Sequence, residues 1–215
     1  MVFKKLLVIC MVIMQATLAN AQNNWVLKAD KDGIKVYTRP MPGSKVKAIK
    51  VECTLQAGLS QLAYVIMDIN SCKQWVYSTK SCGMLKQVSP HELFYYSEVD
   101  VPWPVSNRDF VAHLTASQNP ANRTVTIDAE NVPGFTPQKP NVVRILQSVG
   151  KWLLTPAGSH LVNVEYTLFA DPGGSVPAWL INLFITKGPM ESFKKLKEHL
   201  AQPINAHVRL PMIKD

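Results

Sequence analysis

The chain has 215 residues, a formal net charge of +8 and a hydrophobic fraction of 47%. That length suits one domain with a sizeable core. The positive charge is compatible with transient contact at anionic lipid headgroups. The basic residues are scattered, and no basic cluster is interleaved with aromatic residues, which argues against nucleic acid as a partner.

The first residues have the composition of a secretion signal. Two lysines precede an apolar run over residues 6–18, and Ala19-Asn20-Ala21 supplies the small residues that signal peptidase needs. We therefore expect residues 1–21 to be removed and the mature protein to begin at Gln22, exported to the periplasm or secreted. The run is shorter than the ~20 residues of a spanning helix, so a retained membrane anchor is the weaker alternative.

Three cysteines follow this segment. Cys53 belongs to an apolar alternation and should face the core from a strand. Cys72 and Cys82 are close in sequence; in an oxidising compartment they either form a small disulfide loop or remain two free thiols, and the sequence leaves both open. A metal site would need more Cys or His at ligand spacing, and only His91 is near, so we expect no metal and no cofactor.

The next segments predict strands, one helix and then more strands. Alternation predicts a hairpin of Ile34–Arg39 and Val46–Gln56, joined by a turn with Pro and Gly. Leu59–Ile69 changes to helical spacing, with Ser60 as its cap. Six further strands are predicted at Met84–Val88, Leu93–Val101, Asp109–Ser117, Arg123–Val132, Val142–Thr155 and His160–Ala170. Their short turns favour an antiparallel meander with one apolar face.

The C-terminal stretch Val176–Leu200 predicts one helix in two halves. The first half, to Ile185, is apolar all round and should be covered on several sides, whereas the second half is apolar on one face. Gly188-Pro189 should kink or break the helix between the halves, because proline removes a hydrogen bond and clashes with the preceding turn. A sheet curled around such a helix would leave an elongated apolar cavity, which suits a lipid.

Four motifs, preceded by Trp75, carry a resemblance to a known family. They are VPWPVSNRDF at 101–110, VRI at 143–145, GKW at 150–152 ahead of Thr155-Pro156, and DPGGSVPAWLIN at 171–182. In this order and spacing the mature chain resembles the START (steroidogenic acute regulatory protein-related lipid transfer) domain, and most closely its bacterial branch.

The resemblance implies an α+β helix-grip fold, as in START and Bet v 1-like proteins. A long curved antiparallel sheet would wrap around a C-terminal helix and enclose an internal apolar cavity for one lipid or sterol. The START lipid-binding domain would span residues 22–202, followed by a C-terminal tail at 203–215. The loop before Arg108-Asp109-Phe110 would face the C-terminal helix across the cavity mouth.

The expected lipid-binding residues are mostly apolar or aromatic positions on the strands, the loops and the long helix. They are Trp75, Phe94, Trp103, Arg108, Phe110, Ala112, Leu114, Trp152, Val164, Tyr166, Trp179, Leu183 and Met190. Trp103 lies between two prolines, where it is exposed, docked on the helix or used at a membrane interface. Arg108 and Asp109 resemble a charge pair, and at a strand start such an arginine is more often structural than in contact with ligand.

One departure from the sterol-carrying members bears on the ligand. Some of them resemble one another in placing an Arg six residues after the Arg of Arg-Asp-Phe, paired with an acid. Here that position is Leu114, although Glu92 could match the acid. Without a basic partner, Glu92 should be exposed, protonated or hydrogen-bonded. A sterol is therefore not implied, and a phospholipid, a fatty acid or another apolar ligand stays open.

These observations favour a monomeric lipid-binding and lipid-transfer protein that is not an enzyme. It would hold one apolar ligand in an internal tunnel and exchange it during transient contact with a membrane. We find no nucleophile elbow, zinc motif, P-loop or dinucleotide fingerprint. The alternative is a cyclase or hydrolase that uses the same cavity, because fold does not determine function. A protein-interaction module would instead show a large exposed apolar patch.

Overall fold

The computed structural model describes residues 25–215, so the predicted signal segment and the cleavage site before Gln22 lie outside it. The strands are β1 (Val26–Lys31), β2 (Ile34–Pro40), β3 (Lys47–Gln56), β4 (Thr79–Ser89), β5 (Glu92–Val99), β6 (Asn107–Gln118), β7 (Val125–Asn131), β8 (Val142–Arg144), β9 (Gln147–Gly158) and β10 (Leu161–Asp171). The helices are α1 (Leu59–Met67), α2 (Cys72–Trp75), α3 (Ala178–Asn182) and α4 (Gly188–Leu200), with 3-10 turns at Ile69–Ser71 and Pro203–Asn205 and a π-helical segment at Leu183–Lys187. Within residues 25–215, no helix has the length and apolarity needed to cross a membrane.

The ten strands form one sheet in the order β1-β2-β3-β10-β9-β7-β6-β5-β4, and β8 pairs with β6 beside this path. Every pair is antiparallel except the short pairing of β6 with β8. Most neighbours in the sheet are also neighbours in sequence. Three pairs join strands that are not consecutive in sequence: β3 with β10, β7 with β9 and β6 with β8. Between β3 and β4, α1 and α2 carry the chain to the far edge of the sheet. The predicted fold class, a large curved antiparallel sheet with a C-terminal helix, is confirmed.

The core lies between the inner face of the sheet and the helices α1 and α4. Alternate residues of β3, namely Ile49, Val51, Cys53 and Leu55, are buried, as their period of two predicts. Cys53 is a free thiol in this core. From α4, Phe193, Leu196 and Leu200 are buried on one side of the helix, and the prediction of one apolar face is confirmed.

The first half of the C-terminal helix differs from the prediction, because it is not covered on several sides. Leu180 is only 2% exposed, but the neighbouring Trp179 is 51% exposed. The helix is also not broken at Pro189. The N–H of Gly188 donates to the carbonyl of Leu183, five residues back, as in a π-helix. Because Pro189 has no N–H to donate, the preceding turn widens and helical backbone continues into α4.

The start of α1 also differs from the prediction, because Ser60 lies inside the helix and Gly58 is the N-cap. Gln61 Oε1 accepts from the N–H of Gly58 at 3.2 Å, and Asp215 Oδ1 accepts from the N–H of Ser60 at 2.7 Å. The hydroxyl of Ser60 donates to the carbonyl of Leu210 at 3.1 Å. These bonds satisfy free donors of the first turn and hold residues 203–215 against α1.

A disulfide joins Cys72 of α2 to Cys82 of β4. The covalent link attaches the single-turn helix α2 to the edge strand of the sheet. Trp75 lies at the end of α2 and is buried. The disulfide therefore helps to position a tryptophan that borders the interior of the fold.

Candidate functional site

A cavity of about 360 Å³ lies between the inner face of the sheet and the segment that includes α3 and the start of α4. Its wall is mainly apolar. The sheet contributes alternate residues of several strands, among them Tyr95, Ser97, Phe110, Ala112, Leu114, Trp152 and Tyr166. The helical side contributes Leu180, Ile181, Phe184, Ile185, Pro189 and Phe193. The volume falls in the range of about 300–1,000 Å³ that is typical of small-molecule pockets.

Part of the wall is a cluster of aromatic rings. The ring centroid of Trp152 lies 6.2 Å from that of Trp75, 4.2 Å from that of Tyr166 and 5.4 Å from that of Phe193. Burial raises the pKa values of Tyr95 and Tyr166, so both phenols stay protonated at neutral pH. The indole Nε1–H of Trp75 is buried and has no hydrogen-bond partner among residues 25–215. This region is therefore apolar, with a few isolated polar atoms.

Arg108 supplies a positive charge to the cavity wall. It belongs to β6, lines the cavity and is only 5% exposed. Its guanidinium donates to three backbone carbonyls, those of Ser106, Pro172 and Gly173. The side chain thus connects the start of β6 to the segment between β10 and α3.

Asp109 does not pair with Arg108, and here the prediction from sequence is wrong. Successive residues of a strand point to opposite faces of the sheet, so Asp109 lies on the outer face. There it accepts two hydrogen bonds from Arg144, at 2.7 and 3.1 Å, and both side chains are 1% exposed. Arg144 also donates to the carbonyls of Pro133, Thr136 and Pro137. The pair holds the loop between β7 and β8 on the outside of the sheet.

A second polar cluster holds the loop between β5 and β6. Glu98 is buried, and its carboxylate lies 2.9 Å from Nζ of Lys80 and 3.3 Å from Nζ of Lys139. It also accepts from the amide of Asn107 at 3.0 Å, and Asn107 Oδ1 accepts from the N–H of Val101. The two ends of the loop are therefore tied to each other and to one carboxylate.

Protonation of Glu98 should lower the stability of the fold at acid pH. Hydrogen bonds from Lys80 and Asn107 lower the pKa of Glu98 to about 2. A lowered carboxyl pKa adds stability above the unfolded value near 4.5, and this stability is lost as pH falls toward 2. We expect Glu98→Gln to cost about 1–2 kcal/mol at pH 7, since the half-exposed lysines are partly screened. Urea unfolding at pH 7 and pH 3 measures the loss in free energy of unfolding of Glu98→Gln relative to wild type. This loss should be about half as large at pH 3 as at pH 7.

The matched control for that prediction is Glu165→Gln, which removes an exposed carboxylate from the outer face of β10. Its effect on the free energy of unfolding should stay within ~0.5 kcal/mol at both pH values. An equal loss for Glu98→Gln at pH 7 and pH 3 would contradict the assignment of the lowered pKa.

Seven of the predicted site residues lie together on the cavity wall: Trp75, Arg108, Phe110, Ala112, Leu114, Trp152 and Tyr166. The structure places the other six elsewhere: Phe94, Trp103, Val164, Trp179, Leu183 and Met190. Trp103 is 91% exposed on the loop, and Trp179 is half-exposed on α3. Val164 is buried in the packed core, two residues from Tyr166 along β10, and Leu183 and Met190 are partly buried beside the wall.

Phe94 lies on the outer face of β5, one residue from the cavity position Tyr95. Its ring stacks between His113, at 4.3 Å, and Phe135, at 4.6 Å. His113 Nε2 lies 2.9 Å from Glu92 Oε1, and Glu92 is partly exposed. Glu92 is therefore a hydrogen-bonded outer-face residue and contributes no charge to the cavity.

Sequence reasoning missed Tyr95, Ser97, Leu180, Ile181 and Phe184 as wall residues. Ser97 lies on the same face of β5 as Tyr95, but three consecutive aromatic residues at 94–96 leave the choice of face open in the sequence. The helical residues had no signal either, because the segment is apolar on every side. Among residues 25–215, no group of three or more His, Cys, Asp or Glu side chains is arranged to hold a metal ion.

The START domain family model matches residues 10–204 of the chain. An uncharacterised protein from Pseudomonas aeruginosa is 33% identical over 174 residues, covering 81% of this chain and 85% of that protein. Mouse phosphatidylcholine transfer protein is 29% identical over 177 residues, covering 80% of this chain and 81% of that protein. The crystal structure of a STAR-related lipid transfer protein fragment from Xanthomonas axonopodis is 36% identical, with a TM-score of 0.76 and coverage of 84% of this chain and 100% of that one. The chain therefore belongs to the START domain family.

Proposed function

We propose that this protein carries one lipid in its internal cavity and exchanges it at a membrane surface. The observation that supports this most is the cavity of about 360 Å³ with its mainly apolar wall. An apolar lining with few polar atoms suits an acyl chain, because moving each methylene from water into such a cavity is favourable. Relatives named as lipid transfer proteins support the same function.

The energetic task of a lipid carrier is large. Each methylene that leaves a bilayer for water costs about 0.8 kcal/mol, so a 16-carbon chain would lose roughly 12–13 kcal/mol unaided. A carrier must offer a comparably dry space and open it only at the membrane. In our proposal the cavity is this space, and the tunnel for the acyl chain runs along the inner face of the sheet. Leu180, Phe184 and Phe110 line the cavity.

The gate of this tunnel is formed by the 101–107 loop and α3. Val101 on one side and Leu180 and Ile181 on the other line the cavity, so separation of the two elements would open it. Trp103 projects from the loop with 91% of its surface exposed, and Trp179 projects from α3. Half-wet tryptophans are favoured at membrane interfaces. The widened helical turn at Leu183–Lys187 is the place where the helix would bend.

We further propose that the protein acts as an exported monomer, with its basic residues favouring transient contact with anionic headgroups. The small apolar segment at residues 6–18 and the Ala19-Asn20-Ala21 site support export. A disulfide between Cys72 and Cys82 suits an oxidising compartment. The N-terminal sequence of the protein purified from the exporting cell tests this proposal.

The gate is tested by Trp103→Ala in a vesicle-to-vesicle transfer assay with fluorescently labelled palmitic acid or phosphatidylcholine. We expect transfer at least about threefold slower, because insertion into the interface lowers the barrier to opening by an amount on the order of 1 kcal/mol. Occupancy of the protein by lipid should stay unchanged, since Trp103 does not line the cavity. The matched control is Phe135→Ala, which removes an exposed aromatic ring from the outer face of the sheet.

If Trp103→Ala transfers both lipids at the wild-type rate, Trp103 is not part of the gate. Loss of lipid together with loss of stability would assign it a structural role instead. Mass spectrometry of extracted ligand separates a carrier from the enzyme alternative, because a carrier holds the intact lipid while an enzyme would release a chemically altered product.

A further inference from the structure

The charges on the cavity wall all have one sign. Among the described residues that line the cavity, two are charged, and both are basic: Arg108 and Lys47. None of the described lining residues is Asp or Glu. Lys47 is exposed at the start of β3, whereas Arg108 is buried. The wall therefore has a positive potential, and Arg108 is the more buried of its two charged side chains.

The guanidinium of Arg108 has no carboxylate partner in residues 25–215. Its neighbour Asp109 points to the opposite face of the sheet and is engaged by Arg144. The loss of hydration on burial lowers the pKa of Arg108. Carbonyl groups orient the side chain but do not neutralise it, and a buried charge without a counter-ion is unfavourable.

The hydrogen bonds of Arg108 leave two donors free. A guanidinium has five N–H groups. Nε donates to Pro172, one N–H of Nη1 donates to Ser106 and one N–H of Nη2 donates to Gly173. One N–H therefore remains on each terminal nitrogen, and guanidinium N–H groups are strong donors to carboxylates and phosphates.

Resting on the proposed function, we infer that Arg108 binds the anionic head group of the lipid, a carboxylate or a phosphate. Arg108 lies next to the 101–107 loop and the segment that leads to α3. The head group would therefore sit at the mouth of the tunnel, with the acyl chain along the apolar wall beyond it. The cavity selects amphiphiles with a negative head group over neutral ones with the same tail.

The test compares three probes that share one 16-carbon tail: hexadecanoate, hexadecyl phosphate and 1-hexadecanol. Affinities are measured at pH 8 by displacement of a fluorescent fatty acid from the full chain. We expect wild type to bind at least one anionic probe about tenfold or more tightly than the alcohol. Arg108→Gln should abolish this preference and keep the affinity for 1-hexadecanol. Lys47→Gln, the matched control, should retain most of the preference.

The two anionic probes distinguish two classes of lipid. Hexadecanoate represents a fatty acid with its carboxylate, and hexadecyl phosphate represents a phospholipid with its phosphate. Equal affinity of wild type for all three probes would overturn the inference, as would a preference that depends on Lys47 and not on Arg108. If Arg108→Gln does not fold, Arg108→Lys replaces it, because lysine keeps the charge. The affinities of wild type for the three probes then still show whether an anionic head group is preferred. Binding of none of the probes would instead refute the proposed function itself.

Discussion

Replacing Arg144 with methionine should destabilise the protein by about 3–5 kcal/mol, because the change leaves Asp109 charged, buried and unpaired. Both side chains are 1% exposed and share two hydrogen bonds. Three carbonyls of the loop between β7 and β8 would lose their donor as well. Since domains of this kind have a total stability of about 5–15 kcal/mol, the loss would be a large part of it. Urea unfolding monitored by circular dichroism measures it.

A double-mutant cycle separates the ion pair from the loop contacts. Asp109→Leu combined with Arg144→Met removes both charges, and a buried pair replaced by apolar residues is often neutral. The double variant should therefore be more stable than Arg144→Met alone. Additive losses in the cycle, or a loss below ~1 kcal/mol for Arg144→Met, would show that the pair is not the main stabiliser of this loop.

Replacing Ala112 with phenylalanine should block lipid binding and leave the fold intact. Ala112 is on β6 and lines the cavity, with Phe110 and Leu114 on the same face of the strand. Because Ala112 lines the space of about 360 Å³, we expect the larger side chain to occupy part of this space. We expect the content of co-purifying lipid to fall at least about tenfold, with a change in stability below ~1.5 kcal/mol.

Two further variants control for that prediction. Thr115→Phe adds the same ring on the outer face of β6 and should leave lipid content unchanged. Ala129→Phe, from the neighbouring strand β7, fills the cavity from another side and repeats the test if Ala112→Phe does not fold. A full lipid content in both cavity variants would show that the lipid does not occupy this space.

The sheet could be predicted where its strands have one buried face. The hairpin of β2 and β3 and the strand β10 alternate clearly, and their bounds were predicted to within one residue. β1 was missed because none of its residues is buried, so it has no apolar period. The stretch Val142–Thr155 was predicted as one strand. The chain leaves β8 at Ile145, whose N–H still donates to the backbone carbonyl of Asp109. It then starts β9, which pairs with β10 and β7.

The cavity could be predicted only from its strands. Phe110, Ala112 and Leu114 alternate with polar residues, so their common face was visible in the sequence. On β5, Phe94, Tyr95 and Tyr96 are three consecutive aromatic residues, and a period of two could not choose between the faces. On the helical side every face is apolar, so the sequence could not say that Leu180 and Phe184 face the cavity while Trp179 faces solvent. The pairing of Asp109 with Arg144 joins positions that only the β6–β8 pairing brings together.

The central claim is that the cavity holds one lipid, and ligand extraction from the purified protein tests it most directly. The protein would be produced without added lipid, its concentration determined, and its organic extract analysed by mass spectrometry beside that of Ala112→Phe. We predict close to one intact amphiphile with an anionic head group per wild-type molecule and a strong depletion in the variant. An extract of wild type without a stoichiometric lipid, or equal amounts from both proteins, would contradict the account.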